Sequence, residues 1–211
     1  MYEIKDKEII LSKIIFLIDK FNLSYINRED LNNLINLLDE DKKSFLEKDP
    51  STKKDSIYFL LAFSSFNSIV GYRLANLIVY KYKNNIDAKK ISEYIKIKTG
   101  IEIHPSAKIG SRFIIDHGVG TVIGETCIIG NDCYILQKVI LGSSQIARNI
   151  DKQRHPIIGN NVEIGGFVRI FGNIKIGDNV KISPHSIIFN DIPSNSSVII
   201  KNNKQYIKTN C

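Results

Sequence analysis

In the second half of this chain an aliphatic side chain returns at six-residue spacing, and that period restricts the fold more than any other feature. The hits fall in three runs: Ile103, Ile109, Ile115; then Ile123, Ile129, Ile135, Leu141; then Ile158, Ile164, Ile170, Ile176, Ile182, Ile188. A helix repeats every 3.6 residues and a half-buried strand every two, so neither sustains sixes. A solenoid of short strands and tight turns does. Glycine follows the aliphatic residue at 110, 124, 130, 142, 159, 165 and 177, where it lets the chain turn beside a stacked core. Three sixes close one triangular coil, so residues 103–190 hold roughly five coils.

Residues 1–98 follow another pattern, with one glycine, Gly71, and one proline, Pro50. Apolar positions recur at helical spacing: Ile9, Ile10, Ile14, Ile15, Leu17, Ile18, then Leu31, Leu34, Ile35, Leu37, Leu38. Asn27-Arg28-Glu29-Asp30 is a helix start. Asp49-Pro50 opens a third helical region, expected over residues 54–82, and another helix is expected over residues 88–98, ended by Gly100. The expected division is an α-helical packing or oligomerisation domain over 1–99 and a solenoid over 100–193. A loop protrudes from the solenoid at 142–156, and a tail covers 194–211.

Composition narrows the function. Hydrophobic content of 43% and charged content of 24% over 211 residues exclude a disordered, collagen-like or disulfide-scaffold chain. Cys127, Cys133 and Cys211 have no paired spacing, so neither a disulfide framework nor a zinc ribbon is indicated. Cys127 and Cys133 hold the same place in consecutive sixes and are expected to pack on different sides of the triangle. The histidines and cysteines show no recurring ligand spacing, so no metal is expected. A net charge of +7 favours anionic partners. The lysines are scattered, however, and no nucleic-acid partner is expected. The N-terminus mixes acids with bases and lacks a cleavage site for secretion. The most apolar stretch, residues 57–70, is interrupted by Ser64, Ser65, Asn67 and Ser68 and is shorter than the ~20 residues of a membrane span. No membrane partner is expected, and the expected location is cytoplasmic.

The places where the period fails carry the chemistry. From Ile115 to Ile123 the step is eight residues, and the surplus falls in Ile115-Asp116-His117-Gly118-Val119-Gly120. From Leu141 to Ile158 it is seventeen, a polar excursion closing on Arg154-His155-Pro156. A turn cap or a re-entry residue would explain either histidine alone. Two of only four histidines at the two breaks point instead to proton transfer. His104 and His185 sit within the regular frame, as turn residues without assigned chemistry.

Taken in order, Gly100-Ile-Glu-Ile-His-Pro-Ser-Ala-Lys-Ile-Gly110, Asp116-His-Gly-Val-Gly120, Ile123-Gly-Glu-Thr126, Ile135-Leu-Gln137 and Arg154-His-Pro156 resemble serine O-acetyltransferase. With Lys48-Asp49-Pro50 and Tyr72-Arg73-Leu74-Ala75 upstream, the resemblance covers residues 48–193. It implies an α+β architecture: an α-helical N-terminal domain followed by a left-handed parallel β-helix, assembled as a homotrimer or a dimer of trimers with active sites between subunits. It also implies transfer of acetyl from acetyl-CoA directly to the hydroxyl of L-serine, within cysteine biosynthesis. His117 would be the general base and Glu102 the acid that orients it. Asp49 and Asp116 would bind the serine ammonium, and Arg154 with His155 its carboxylate, His155 also counting as catalytic.

The resemblance places the donor along Gly142, Gly166 and Pro184, and there the chain departs from the family pattern. Ser143-Ser144-Gln145-Ile146-Ala147-Arg148 stands where a Gly-Thr-Gly loop is usual. Gly165-Gly166-Phe167 and Ser183-Pro184-His185 stand where Gly-Ala-Gly is usual. The Gly-[Val/Ile]-Pro segment after the last coil is absent. The tail ends in Cys211 instead of isoleucine, so a cysteine synthase complex is not predicted. Two other readings stay open: an O-acetyltransferase acting on a sugar hydroxyl, and a catalytically silent relative with an altered CoA groove.

Overall fold

The computed structural model describes residues 2–145, 152–201 and 204–209. The middle of the expected loop, with Ile146, Ala147 and Arg148, and the terminal Cys211 lie outside the described residues. The helical half comprises α1 (Tyr2–Phe21), α2 (Arg28–Lys48), a 3₁₀ turn (Pro50–Thr52), α3 (Ser56–Ala62), α4 (Ser64–Leu77) and, after a π turn (Ile78–Tyr82), α5 (Asn85–Thr99). Asn27 starts α2 by accepting from the Asp30 N–H, as its sequence indicates. Phe45, Phe59 and Phe66 are fully buried at the centre of the bundle, with ring centroids 4.7 and 5.1 Å apart.

The single helical region expected over residues 54–82 is instead divided at Phe63, whose backbone is extended (φ −89°, ψ 107°). The break lets the Phe63 ring pack edge-on to Tyr58 at 5.7 Å, and Ser64 and Ser65, better suited to helix ends than interiors, follow it. The last helix begins three residues before the expected 88 because the Asn84 side chain caps the Asp87 N–H.

After Gly100 the chain winds through three parallel sheets, each holding one short strand per coil. The first sheet stacks Glu102–Ile103, Val122–Ile123, Ile140–Gly142, Arg169–Phe171 and Ile187–Ile188. The second stacks Lys108–Ile109, Ile128–Ile129, Ile157–Ile158 and Lys175–Ile176. The third stacks Ile114–Ile115, Tyr134–Ile135, Glu163–Ile164 and Lys181–Ile182, then continues into Ser196–Lys201 and its antiparallel partner Lys204–Thr209. This is the left-handed parallel β-helix behind a helical half that the sequence leads one to expect. Every aliphatic residue of the six-residue period is buried except Ile109, which is half-buried.

A second inward position lies two residues before each of these and is buried throughout, but its chemistry is mixed. Ile101, Val139, Val162, Val168, Ile174 and Val180 are aliphatic there, whereas Ala107, Phe113, Thr121, Cys127, Cys133, Pro156 and Ser186 break the pattern. Burial pushes the Cys127 and Cys133 thiols up to about 12 and about 11, so both are packing residues without nucleophilic character.

The two halves are clamped together by ions. Asp41 of α2 and Arg73 of α4 form a two-pronged pair at 3.0 Å, with side chains 0% and 4% exposed. Arg73 also donates to the carbonyls of Ile109 and Gly110, while Asp41 accepts the Phe113 N–H at 2.9 Å. Tyr72 and Asn76, also on α4, donate to the Ala107 carbonyl. The clamp fixes the first coil against the helices, and with it the end of α2 that carries Asp49.

Candidate active site

Each coil turns three corners, and the candidate residues gather at two of them. The corner between the third and first sheets carries Asp116, His117, Gln137, Gly166 and Pro184. One residue other than glycine is left-handed in each turn there: His117 (φ 57°), Lys138 (φ 56°), Phe167 (φ 64°) and His185 (φ 66°). That conformation costs a side-chain-bearing residue about 1–2 kcal/mol, yet three bulky side chains occupy it in succession above His117. They stack. The Lys138 Nζ lies 4.7 Å from the Phe167 ring centroid, and the His185 ring lies 4.8 Å away at 18°. Gly166 lies beneath them, close to Gln137: a Cβ there would come 3.1 Å from the Gln137 amide.

His117 is 73% exposed, and the nearest carboxylate is that of Asp116, whose Oδ2 is 3.8 Å from Nε2. Asp116 in turn accepts the Tyr134 hydroxyl at 2.9 Å. Asp49 is buried where α2 meets the 3₁₀ turn, and its two carboxylate oxygens accept the Ser51 N–H and hydroxyl, both at 2.8 Å. The end of α2 is tied down by Lys48, which donates to the Asp132 carbonyl, and by the Glu47–Arg112 ion pair. Burial first, and then the Asp116 carboxylate with a lesser electrostatic effect from Asp49, raises the pKa of the Tyr134 hydroxyl. Tyr134 was not singled out from the sequence, since it points outward, off the six-residue period. Counting one coil plus the two-residue insertion from Ile114 would have found it, because Tyr134 pairs with Ile114. Glu102 lies on the first strand of the first sheet with its carboxylate 2.7 Å from the Lys96 Nζ.

The corner between the first and second sheets carries the cationic set. Arg154 is paired with Glu125. His155 is 8% exposed and held by Thr126, whose N–H donates to Nδ1 at 3.2 Å and whose hydroxyl lies 2.9 Å from the same atom. Accepting at Nδ1 leaves the imidazole proton on Nε2. Burial, and then Arg154, lowers the His155 pKa, so the ring is neutral at pH 7. Its close neighbour is Gly124, where a Cβ would lie 2.1 Å from ring atoms. Glycine in Gly124-Glu125-Thr126 thus makes room for the ring that threonine fastens. His104 accepts the Ser106 N–H at 3.2 Å and caps its turn. Gly142 ends its strand against the Phe171 ring at this same corner. Within one protomer the base and acids are separated from Arg154 and His155 by the width of the first sheet.

Known proteins share both the repeat and what precedes it. The family described as GMPPB C-terminal domain matches residues 97–207, the repeat half. The serine acetyltransferase of Staphylococcus aureus (strain MSSA476) is 39% identical over 166 residues, 79% of this chain and 75% of that protein. A match of that length extends beyond the repeats into the helices. The chain belongs to the serine acetyltransferase family. Among solved serine acetyltransferases, that of Neisseria gonorrhoeae superposes with a TM-score of 0.75 at 32% identity, covering 82% of this chain and 68% of that one. The soybean serine acetyltransferase complexed with serine gives 0.75 at 30% identity, covering 83% and 73%. The extent of these matches makes the helical half, with Asp49 at its edge, as much a part of the serine acetyltransferase fold as the solenoid.

Proposed function

We propose that the chain transfers the acetyl group of acetyl-CoA to the hydroxyl of L-serine, giving O-acetylserine and CoA, with His117 as general base. The observation that carries this reading is an open imidazole 3.8 Å from the Asp116 carboxylate, in a chain of the serine acetyltransferase family. His117 removes the serine hydroxyl proton as the oxygen attacks the thioester carbonyl. A carbon–oxygen bond forms, the carbon–sulfur bond breaks, and the thiolate leaves as CoA and takes up a proton. A positioned base is typically worth ~10²–10⁴-fold for such a weakly acidic alcohol. Asp49 and Asp116 take the ammonium. Glu102, shared with Lys96, supplies the further carboxylate proposed to orient the imidazole. Gly166 and Pro184 line the donor path, narrowed by the Lys138–Phe167–His185 stack, and Gly142, at the Arg154 corner, joins it from the neighbouring copy.

Arg154 and His155 are assigned to the serine carboxylate. They stand at the other corner, so the site closes only when that corner of one copy meets the His117 corner of another. The working form is accordingly a homotrimer or a dimer of trimers, with residues 1–99 as the assembling half and 100–193 as the catalytic solenoid. The reading includes a cytoplasmic location and neither a membrane nor a nucleic-acid partner. Replacing Arg154 with alanine should raise the KM for L-serine about 10- to 100-fold, the loss expected for a charged hydrogen-bond partner, with a smaller effect on kcat. The test of the function itself is CoA release from acetyl-CoA with L-serine, without it, and with a panel of sugars. Serine-dependent release supports the reading, and release only with a sugar moves the acceptor. No release with any acceptor overturns acetyl transfer.

A further inference from the structure

Tyr134 stands on the outer face of the third sheet, between Ile114 on one neighbouring strand and Glu163 on the other. Ile114 is buried beneath the helical half. The tyrosine ring therefore marks the edge where the helices stop, and it forms one wall of a groove of about 580 Å³ shared with Lys48, Leu136, Gly165, Lys181 and Pro184. From that edge the hydroxyl reaches back to the corner and donates to Asp116 Oδ2 at 2.9 Å. The same Oδ2 is the oxygen 3.8 Å from His117 Nε2.

Asp116 thus has two possible partners for one oxygen. Without the phenol, Oδ2 is free to close the remaining distance to the imidazole and form an aspartate–histidine ion pair. The carboxylate would then be committed to the base. Asp49, which already accepts two hydrogen bonds from Ser51, would then be left to hold the ammonium without its partner. The phenol is well suited to the task. Burial and the surrounding carboxylates keep it protonated, so it acts only as a donor towards Asp116.

We propose that Tyr134 is a positioning residue of the acceptor site: its hydroxyl holds Asp116 away from His117, so that the carboxylate's charge serves the acceptor's ammonium group instead of being paired with the base. This rests on the serine acetyltransferase reading given above and names a residue that the sequence motifs do not contain.

The test uses the full chain and Tyr134→Phe, which keeps the ring and its packing and removes one donor. L-Serine binding is measured by calorimetry without acetyl-CoA, and CoA release is measured in parallel. The Kd for L-serine should rise about tenfold, the size of one hydrogen bond to a charged group, with the KM for acetyl-CoA unchanged within twofold. In an Asp116→Asn background the same substitution should add nothing, because the two residues act as one unit. Unchanged serine affinity in Tyr134→Phe, with or without a lower melting temperature, assigns the residue to packing and overturns the proposal. An equal loss on top of Asp116→Asn also overturns it, as does a wild-type chain that binds no serine. A wild-type chain that binds serine yet releases no CoA overturns acetyl transfer alone and leaves the binding comparison to decide the role of Tyr134.

Discussion

His117→Asn is expected to lower kcat by about 10²–10⁴-fold while leaving L-serine binding close to wild type. Asparagine suits this test because it tolerates the left-handed backbone that residue 117 adopts at φ 57°. Alanine would add strain to the chemical loss. The side chain is 73% exposed and its removal opens no cavity, so the melting temperature should stay within the range of surface substitutions. Loss of turnover with folding and serine affinity intact would place the defect in proton removal. Turnover near wild type would remove the base from the mechanism.

The largest effect on stability is expected at the clamp. Arg73→Ala leaves Asp41 fully buried without its cation and deprives the carbonyls of Ile109 and Gly110 of a donor. Breaking one side of a buried pair costs about 3–5 kcal/mol, which for a chain of this size corresponds to a fall in melting temperature of roughly 6–20 °C. The double variant Asp41→Leu/Arg73→Met should recover part of this, since an apolar pair avoids the stranded charge. Recovery stays incomplete because the Phe113 N–H also loses its acceptor. Thermal unfolding of the three proteins checks the order: wild type, then double variant, then Arg73→Ala. A single variant as stable as wild type would show that the pair does not hold the halves together.

The solenoid was legible because its strongest contact repeats in sequence: one large aliphatic residue per side of the triangle, each stacked on the residue one coil away. The second inward position was hidden by its chemistry. Ala107, Phe113, Thr121 and Cys127 share burial but neither size nor polarity. In the helical half, the apolar run hid the break at Phe63, where aromatic packing overrides helical continuity. Asp41 and Arg73 lie 32 residues apart, and buried charges carry no periodic signal. The candidate site divides in the same way. Asp116, His117, Arg154 and His155 were found because they interrupt a regular pattern. Tyr134 and Glu125, the partners of Asp116 and Arg154, interrupt nothing.

The two-corner arrangement also makes the proposed activity depend on how much of the chain is present. In the proposed mechanism a lone protomer would hold the base at one corner and the carboxylate receptor at another, and could not bring them to the same substrate. Output then rises more steeply than protein abundance until the copies have all met, and only beyond that point does it become proportional. On the proposed assignment, the geometry of the triangle would give the protein a threshold without an effector: below it serine would go unacetylated however much acetyl donor is at hand.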